Sequence, residues 1–228
     1  MPSPSPIALV LGAGPNVGQS VGKAFAAKGY RIALVSRKAS DSQDTPDQIH
    51  IKADFSDPNS IVDVFSKVKH VLGIPSVVVY NVAAGTPNPP NDPLSRNLAD
   101  FTKDLIINTT SPFVAAQQAV LNFAELPDSA AKTFIYTGNI LNTTIIPALL
   151  DAGVGKSASA HFIHSAAEAY KDRGFKFYYC DERLADGKPV YSAVNGEAHA
   201  KHYLELAEGK TQGPWLQTFV KDTGYKKF

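Results

Sequence analysis

The sequence predicts an α/β fold: a doubly wound parallel sheet covered by helices on both faces, giving three αβα layers in a single domain. Three observations predict it. Short apolar runs alternate with stretches of helical periodicity along the chain, the pattern of repeated strand–helix–strand units. The first run, residues 7–11, is apolar throughout, as a strand buried on both faces requires. Glycine, asparagine and charged residues gather where the runs stop, at the sheet edge where such folds bind ligands. Connections between the parallel strands should be right-handed.

Residues 7–11 are read as the first strand. The turn Gly12-Ala13-Gly14-Pro15-Asn16-Val17-Gly18 follows, and a helix over 17–28 places Val17, Val21 and Phe25 on one stripe before Gly29 stops it. A helix N-terminus offers unpaired amides and partial positive charge. Glycines let a phosphate approach the backbone, so the expected ligand is a nucleotide pyrophosphate. Gly12 and Gly14 supply the first two glycines of G-x-G-x-x-G, but Val17 stands at the third position and Gly18 comes one residue late. The phosphate-loop pattern is absent, because neither Lys-Ser nor Lys-Thr follows the last glycine.

The second strand is residues 31–35. An acidic residue about 20 positions beyond the glycine turn would bind the ribose 2′-hydroxyl of NAD. Ser36, Arg37 and Lys38 stand there instead, a hydroxyl and two cations suited to the 2′-phosphate of NADP(H). Residues 49–53 form the third strand. Asp54, at its end, is either a contact for the adenine amine, with Phe55 beside the ring, or a surface carboxylate. A helix follows to about His70, with Asp57 as N-cap and Pro58 at its first position. The fourth strand, 76–80, runs into Asn81-Val82-Ala83-Ala84-Gly85, and small residues such as Ala83 admit a ribose. Residues 94–125 read as a short helix and a long one. Asn108 falls inside, where asparagine is disfavoured, so it is either a surface residue or a polar group bonding across the site. The fifth strand, 132–137, ends at Gly138-Asn139. A helix over 152–173, a sixth strand over 175–180, a short loop to Asn195, a helix over 197–208 and a last strand over 215–220 complete the domain, 7–228. Residues 1–6 form a flexible tail and the C-terminal end is basic.

Composition narrows the function. The 228 residues are 44% hydrophobic and 19% charged with a net charge of +1, a globular balance without the basic excess of nucleic-acid binders. The lone cysteine, Cys180, permits neither an internal disulfide nor a cysteine-rich zinc site, and it points to a reducing, cytoplasmic setting. No basic segment precedes a long apolar run, so neither a signal peptide nor a membrane span is expected. His199 and His202 have a metal-compatible spacing without further ligands, so no metal is expected.

These residues resemble a short-chain dehydrogenase/reductase, a family with a Rossmann-type fold, over most of the chain from Ile7 to about Cys180. Gly12 and Gly18 match the outer glycines of T-G-x-x-x-G-x-G, and Asn16 replaces the middle one, a mild change since asparagine tolerates left-handed angles. The resemblance implies NADP use from Arg37, an adenine contact from Asp54 and a cofactor contact from Asn81. It implies a proton-relay water at Asn108, and ribose binding by Lys156 as the lysine of Tyr-x-x-x-Lys. The family's tyrosine falls on Ala152 and its serine on Asn139. No tyrosine lies between Tyr136 and Tyr170. Asn139 and Thr137 are then the expected holders of the substrate oxygen. The family often pairs through the two long helices, here around Asn108 and Lys156, which implies a homodimer. Without the tyrosine three readings stand. The protein reduces a small substrate needing little acid help, uses another donor (His161, His164, Tyr178 or Tyr179), or binds NADP(H) without redox turnover, as a sensor, a scaffold or a redox-neutral lyase or isomerase.

Overall fold

The computed structural model describes residues 5–228, so residues 1–4 of the expected tail lie outside the described residues. β1 (Ile7–Leu11) is buried along its whole length and pairs in parallel with β2 (Arg31–Ser36) on one side and β4 (Val77–Tyr80) on the other. The sheet extends through β3 (Gln48–Lys52) beyond β2, and through β5 (Thr133–Thr137), β6 (Lys176–Arg183) and β7 (Leu216–Val220) beyond β4. Its order is β3-β2-β1-β4-β5-β6-β7-β8. β1 to β7 run parallel, and the two-residue β8 (Gly224–Tyr225) is antiparallel to β7. The winding reverses between β1 and β4, so their C-terminal ends border a crevice.

The hydrophobic pattern sorts the helices into two layers. α1 (Val17–Ala27) and α6 (Gly196–Glu208) cover one face, where Val21, Phe25 and Tyr203 pack with Val10, Leu34 and Ile135. α2 (Asn59–Val71), α4 (Ser111–Phe123) and α5 (Leu150–Tyr170) cover the other, with Phe65, Phe123 and Ile163 against Leu9, Val78 and Phe134. Burying each such side chain contributes about 1.5–3 kcal/mol. α3 (Leu98–Leu105) rests on α5. The Asp57 carboxylate accepts the Asn59 N–H at 3.0 Å and caps the entry to α2, which starts one residue after Pro58. No helix among the described residues is long and apolar enough to cross a membrane.

Three elements depart from the sequence reading. β6 continues past Cys180 through Asp181, Glu182 and Arg183, residues read as the start of a loop. Their charges are met inside the fold: Arg183 Nε donates to Asp181 at 2.6 Å, and Glu182 accepts the Asn195 N–H at 2.8 Å. The long helical stretch is interrupted by a π turn at Ile106–Thr110. Pro112 has no N–H to give the Asn108 carbonyl four residues back, so the α-helical bond cannot form. The Ser111 N–H bonds Ile106 instead, one residue further back. β8 lies in the segment read as a basic tail and is held beside β7 by Lys226 N–H donation to Thr218 at 2.9 Å.

Candidate functional site

The glycine turn lies at the C-terminal end of β1. Gly12 has φ +94°, in the left-handed region, and a Cβ there would stand 2.7 Å from the Asn81 carbonyl oxygen. A Cβ on Gly18 would stand 2.4 Å from Gly12 O and 2.6 Å from Ala13 Cα, so only glycine lets α1 start this close beneath the turn. Gly14 is different: nothing lies within 4 Å of its Cβ position, and its φ is outside the left-handed region. The Val17 and Gly18 amides, in the first turn of α1, have no acceptor within the helix. Asn16 does not use the left-handed freedom expected of it, having φ −93°. Its side chain ties down a distant loop instead, donating to Val194 O at 2.8 Å and accepting the Gly196 N–H at 3.0 Å.

The end of β2 faces the end of β3. Ser36 is half-buried, and Arg37 and Lys38 are exposed in the turn after it. Arg37 lines a hollow with Lys52, Ala53, Asp54 and Ser60. Lys52 is a cation that sequence reading missed. It is the register partner of Ser36, and register between strands has no local signal. Asp54 accepts from Ser56 N–H at 3.0 Å and Ser56 Oγ at 2.8 Å, and these bonds hold its carboxyl below the ordinary range. The Phe55 ring is buried and meets Tyr80 edge-on at 6.1 Å, so it does not stand beside a nucleotide base as expected. Its side chain belongs to the inner face of the sheet, and burial of that apolar ring outweighs exposure at the edge. Asn81 Nδ2 donates to Gly12 O at 2.9 Å, stapling the β4 exit to the glycine turn, and Ala83 is exposed two residues on.

Asn108 is fully buried in the π turn. Its amide donates to Ala84 O at 2.7 Å and its carboxamide oxygen accepts the Ala84 N–H at 3.1 Å, clamping the loop after β4. Its main-chain carbonyl accepts the Tyr136 hydroxyl at 3.1 Å and the Ser159 hydroxyl at 2.5 Å. Both lone pairs freed by Pro112 are therefore engaged by protein hydroxyls, where a relay water had been expected. Lys156, 2% exposed, donates to the Tyr136 hydroxyl and to Thr137 O, each at 3.0 Å. A Cβ on Gly155 would stand 2.5 Å from Asn108 Cβ, so glycine before Lys156 lets α5 close on the π turn.

Thr137 and Asn139 do not converge as the sequence suggested. The Thr137 hydroxyl bonds the Tyr203 hydroxyl at 2.8 Å, toward α6 on the opposite face of the sheet from Lys156, because strand side chains alternate. Only its carbonyl reaches the lysine. The Asn139 carboxamide oxygen accepts the Leu141 N–H at 3.0 Å, so what Asn139 offers a ligand is N–H donation. Ala152 is buried, and a Cβ on Gly85 would lie 3.5 Å from its Cβ. Asp181, which the sequence reading did not single out, is buried at the end of β6. Desolvation raises its carboxyl to about 6 against the opposing charges of Arg183 and Lys156.

The other candidates stand elsewhere. His161 is exposed, His164 stacks on Trp215 at 4.4 Å, and the Tyr178 hydroxyl accepts the Gly213 N–H at 3.1 Å. His199 and His202 are buried between α6 and β7, and desolvation pushes both down to about 4. No group of three or more His, Cys, Asp or Glu able to hold a metal occurs among the described residues. Cys180 is buried, which pushes its thiol well above the ordinary value.

The sequence model of the short chain dehydrogenase family matches residues 6–180. The chain belongs to this family. Short chain dehydrogenase/reductase dmxR12 from Cryptosporiopsis sp. (strain 8999) is 50% identical over 235 residues, spanning 98% of this chain and 95% of that protein. Among solved structures, a metagenomic short-chain oxidoreductase in complex with NADP superposes with a TM-score of 0.81 at 15% identity, covering 95% of this chain and 97% of its own. A blue fluorescent protein from a metagenomic library, in complex with NADPH, superposes at 0.74 with 20% identity over 98% of this chain and 99% of its own. Those likenesses show the Rossmann fold of the family.

Proposed function

We propose that this short-chain dehydrogenase binds NADP(H) and transfers hydride between it and a small apolar or amphipathic organic substrate, without the family's tyrosine acid. The observation that carries the reading is convergence: the glycine turn, the cationic hollow and the buried Lys156 lie along one sheet edge, drawn from four separate elements. The residues fit the nucleotide. The turn is a cradle that a Cβ at Gly12 or Gly18 would fill, with free amides for a pyrophosphate. Arg37, Lys52 and Ser60, with Ser36 and Lys38 nearby, suit a 2′-phosphate. Asp54 keeps one carboxylate oxygen for the adenine amine. Asn81 and Ala83 flank the ribose, and Lys156 gives it the remaining ammonium N–H. Structures of the same fold solved with NADP, NADPH and NADH support a nicotinamide dinucleotide here, and the preference for NADP(H) rests on Arg37, Lys38 and Lys52.

NADPH, when bound, supplies hydride from its nicotinamide ring. The chain's own residues then determine which acceptors react. Asn139 donates N–H to a substrate oxygen, but Ala152 holds no proton. Losing a positioned acid costs a ketone about 10²–10⁴-fold in rate. Conjugated alkenes and iminium ions need less acid help and are the favoured class, with water as the proton source. Fluorescence titration with NADPH and NADH, with absorbance followed over ketones, enones and imines, tests the reading. Preferred NADPH binding and oxidation with an enone or iminium are expected, and failure to bind either nucleotide would overturn it. Ala152 and Asn139 at the family's tyrosine and serine positions favour a second reading, a nucleotide sensor or scaffold, which predicts binding without oxidation. Turnover without absorbance change would mark a redox-neutral lyase or isomerase.

A homodimer through α4 and α5 is part of this proposal. The two helices leave an apolar groove of about 370 Å³ lined by Phe113, Leu121 and Phe162, with Ala116, Ala166 and Ala169 allowing close approach. Phe113 and Leu121 are half exposed, and a second copy of the same helices supplies matching apolar surface. Light scattering should give a dimer for the wild type and a monomer for Phe113→Glu.

A further inference from the structure

Three tyrosines stand side by side in the sheet. Tyr80 on β4, Tyr136 on β5 and Tyr179 on β6 are register partners. Their rings stack in sequence with centroids 5.8 and 5.4 Å apart, and all are fully buried. Each hydroxyl is committed to one part of the site. Tyr80 donates to Ile107 O at 2.6 Å, in the π turn. Tyr179 donates to Asn139 O at 2.8 Å and accepts the Asn139 N–H at 3.2 Å. A Cβ on Gly138 would stand 2.1 Å from the Tyr179 ring, so glycine before Asn139 makes room for that anchor. Tyr136 stands between the other two, donating to Asn108 O and accepting from Lys156.

We propose that Tyr136 is the positioning residue for Lys156: its hydroxyl fixes the direction of the ammonium and ends the hydrogen-bond chain behind it, so that Lys156 acts as an oriented cation and not as a station for proton transfer. The inference rests on the NADP(H) reading, since it concerns the lysine assigned to the ribose. A lysine side chain has four flexible carbons and three equivalent donors, and burial requires those donors to be met. Two of the three are fixed, on Thr137 O and on the Tyr136 hydroxyl, which leaves one N–H with a set direction. Neither partner can swing. Thr137 O belongs to the strand, and the Tyr136 ring is held between two others. The direction of the second bond is set too. Asn108 O can only accept, so Tyr136 must donate to it and accept from Lys156. Ser159 takes the other lone pair of that carbonyl. The path from Lys156 through Tyr136 therefore stops at an acceptor that has no proton to pass on.

The test is a double-mutant cycle on NADPH affinity. Tyr136→Phe keeps the stacked ring and removes both hydroxyl bonds. It should weaken NADPH binding about five- to tenfold, and Lys156→Met should weaken it about tenfold or more. In the Lys156→Met background, Tyr136→Phe should cost no further affinity. Phe134→Leu is the control: it loosens the same face of the sheet two residues before Tyr136, without touching Lys156 or the π turn, and should leave affinity unchanged. A general loss of packing would lower affinity in both backgrounds and with Phe134→Leu. Losses that multiply, or a Tyr136→Phe protein that binds like the wild type, would overturn the assignment alone. A wild type that binds no NADPH would overturn the cofactor reading and this assignment together.

Discussion

Gly18 and Gly14 of the turn should behave in opposite ways when each is replaced by alanine. At Gly18 the new Cβ meets Gly12 O at 2.4 Å, and ordinary contact begins at 3.4 Å, so the start of α1 must move by 3.4 − 2.4 = 1.0 Å. Both close atoms are backbone and cannot rotate away. Overpacking of this kind costs about 1–3 kcal/mol. At about 2–4 °C per kcal/mol for a chain of this size, the unfolding midpoint of Gly18→Ala should fall by roughly 2–12 °C. The same displacement carries the first α1 amides out of hydrogen-bond range of a pyrophosphate. A bond to a charged group contributes about 1.5–3 kcal/mol, so NADPH affinity should fall at least about tenfold. Gly14→Ala has open space and no strained angle, and its lower unfolded-state entropy should leave stability unchanged or raised by up to about 1 kcal/mol. Thermal unfolding by circular dichroism, with NADPH titration by fluorescence, measures both. Equal penalties at the two positions, or a stable Gly18→Ala that binds normally, would refute the steric reasoning.

Further expectations concern charge. Arg37→Ala should weaken NADPH about 10–100-fold while NADH changes little, and Lys52→Ala should act in the same direction; equal loss for both nucleotides would remove the 2′-phosphate assignment. Stability should rise with pH between about 4 and 6.5. His199 and His202, held near 4 by burial, leave the native chain with fewer bound protons than the unfolded chain in that window. Asp181, raised from 3.8 to about 6, and Glu182, also raised by burial, work the other way, but the two imidazoles are each displaced further from their ordinary value than either carboxyl. Urea midpoints should therefore be higher at pH 7 than at pH 5, and His202→Phe should flatten the slope. A midpoint that falls over this range would contradict the burial of the histidines.

The alternation of strands and helices, the glycine turn and the basic end of β2 were all legible along the chain, because each depends on neighbours in sequence. The π turn at Ile106–Thr110 was not read from the chain, although Pro112 removes one helical bond there. The extension of β6 was not legible. Asp181, Glu182 and Arg183 read as the start of a loop until the fold supplies Arg183 for Asp181 and the Asn195 N–H for Glu182. Side-chain direction misled in the same way. Phe55 and Thr137 sit at the right strand ends, yet the pleat turns the phenyl ring into the core and the hydroxyl toward Tyr203.

The sequence by itself determined the layered α/β fold, the edge where a ligand would lie and the residue types offered there. Those follow from hydrophobic period, glycine sterics and charge, which are local properties. Only the tertiary structure decided the partners: Lys52 beside Arg37, Asn16 on the 194–196 loop, and three tyrosines brought into one row whose hydroxyls hold the π turn, Lys156 and Asn139. Strand register brings those side chains together, and register is settled by packing between segments far apart in the chain.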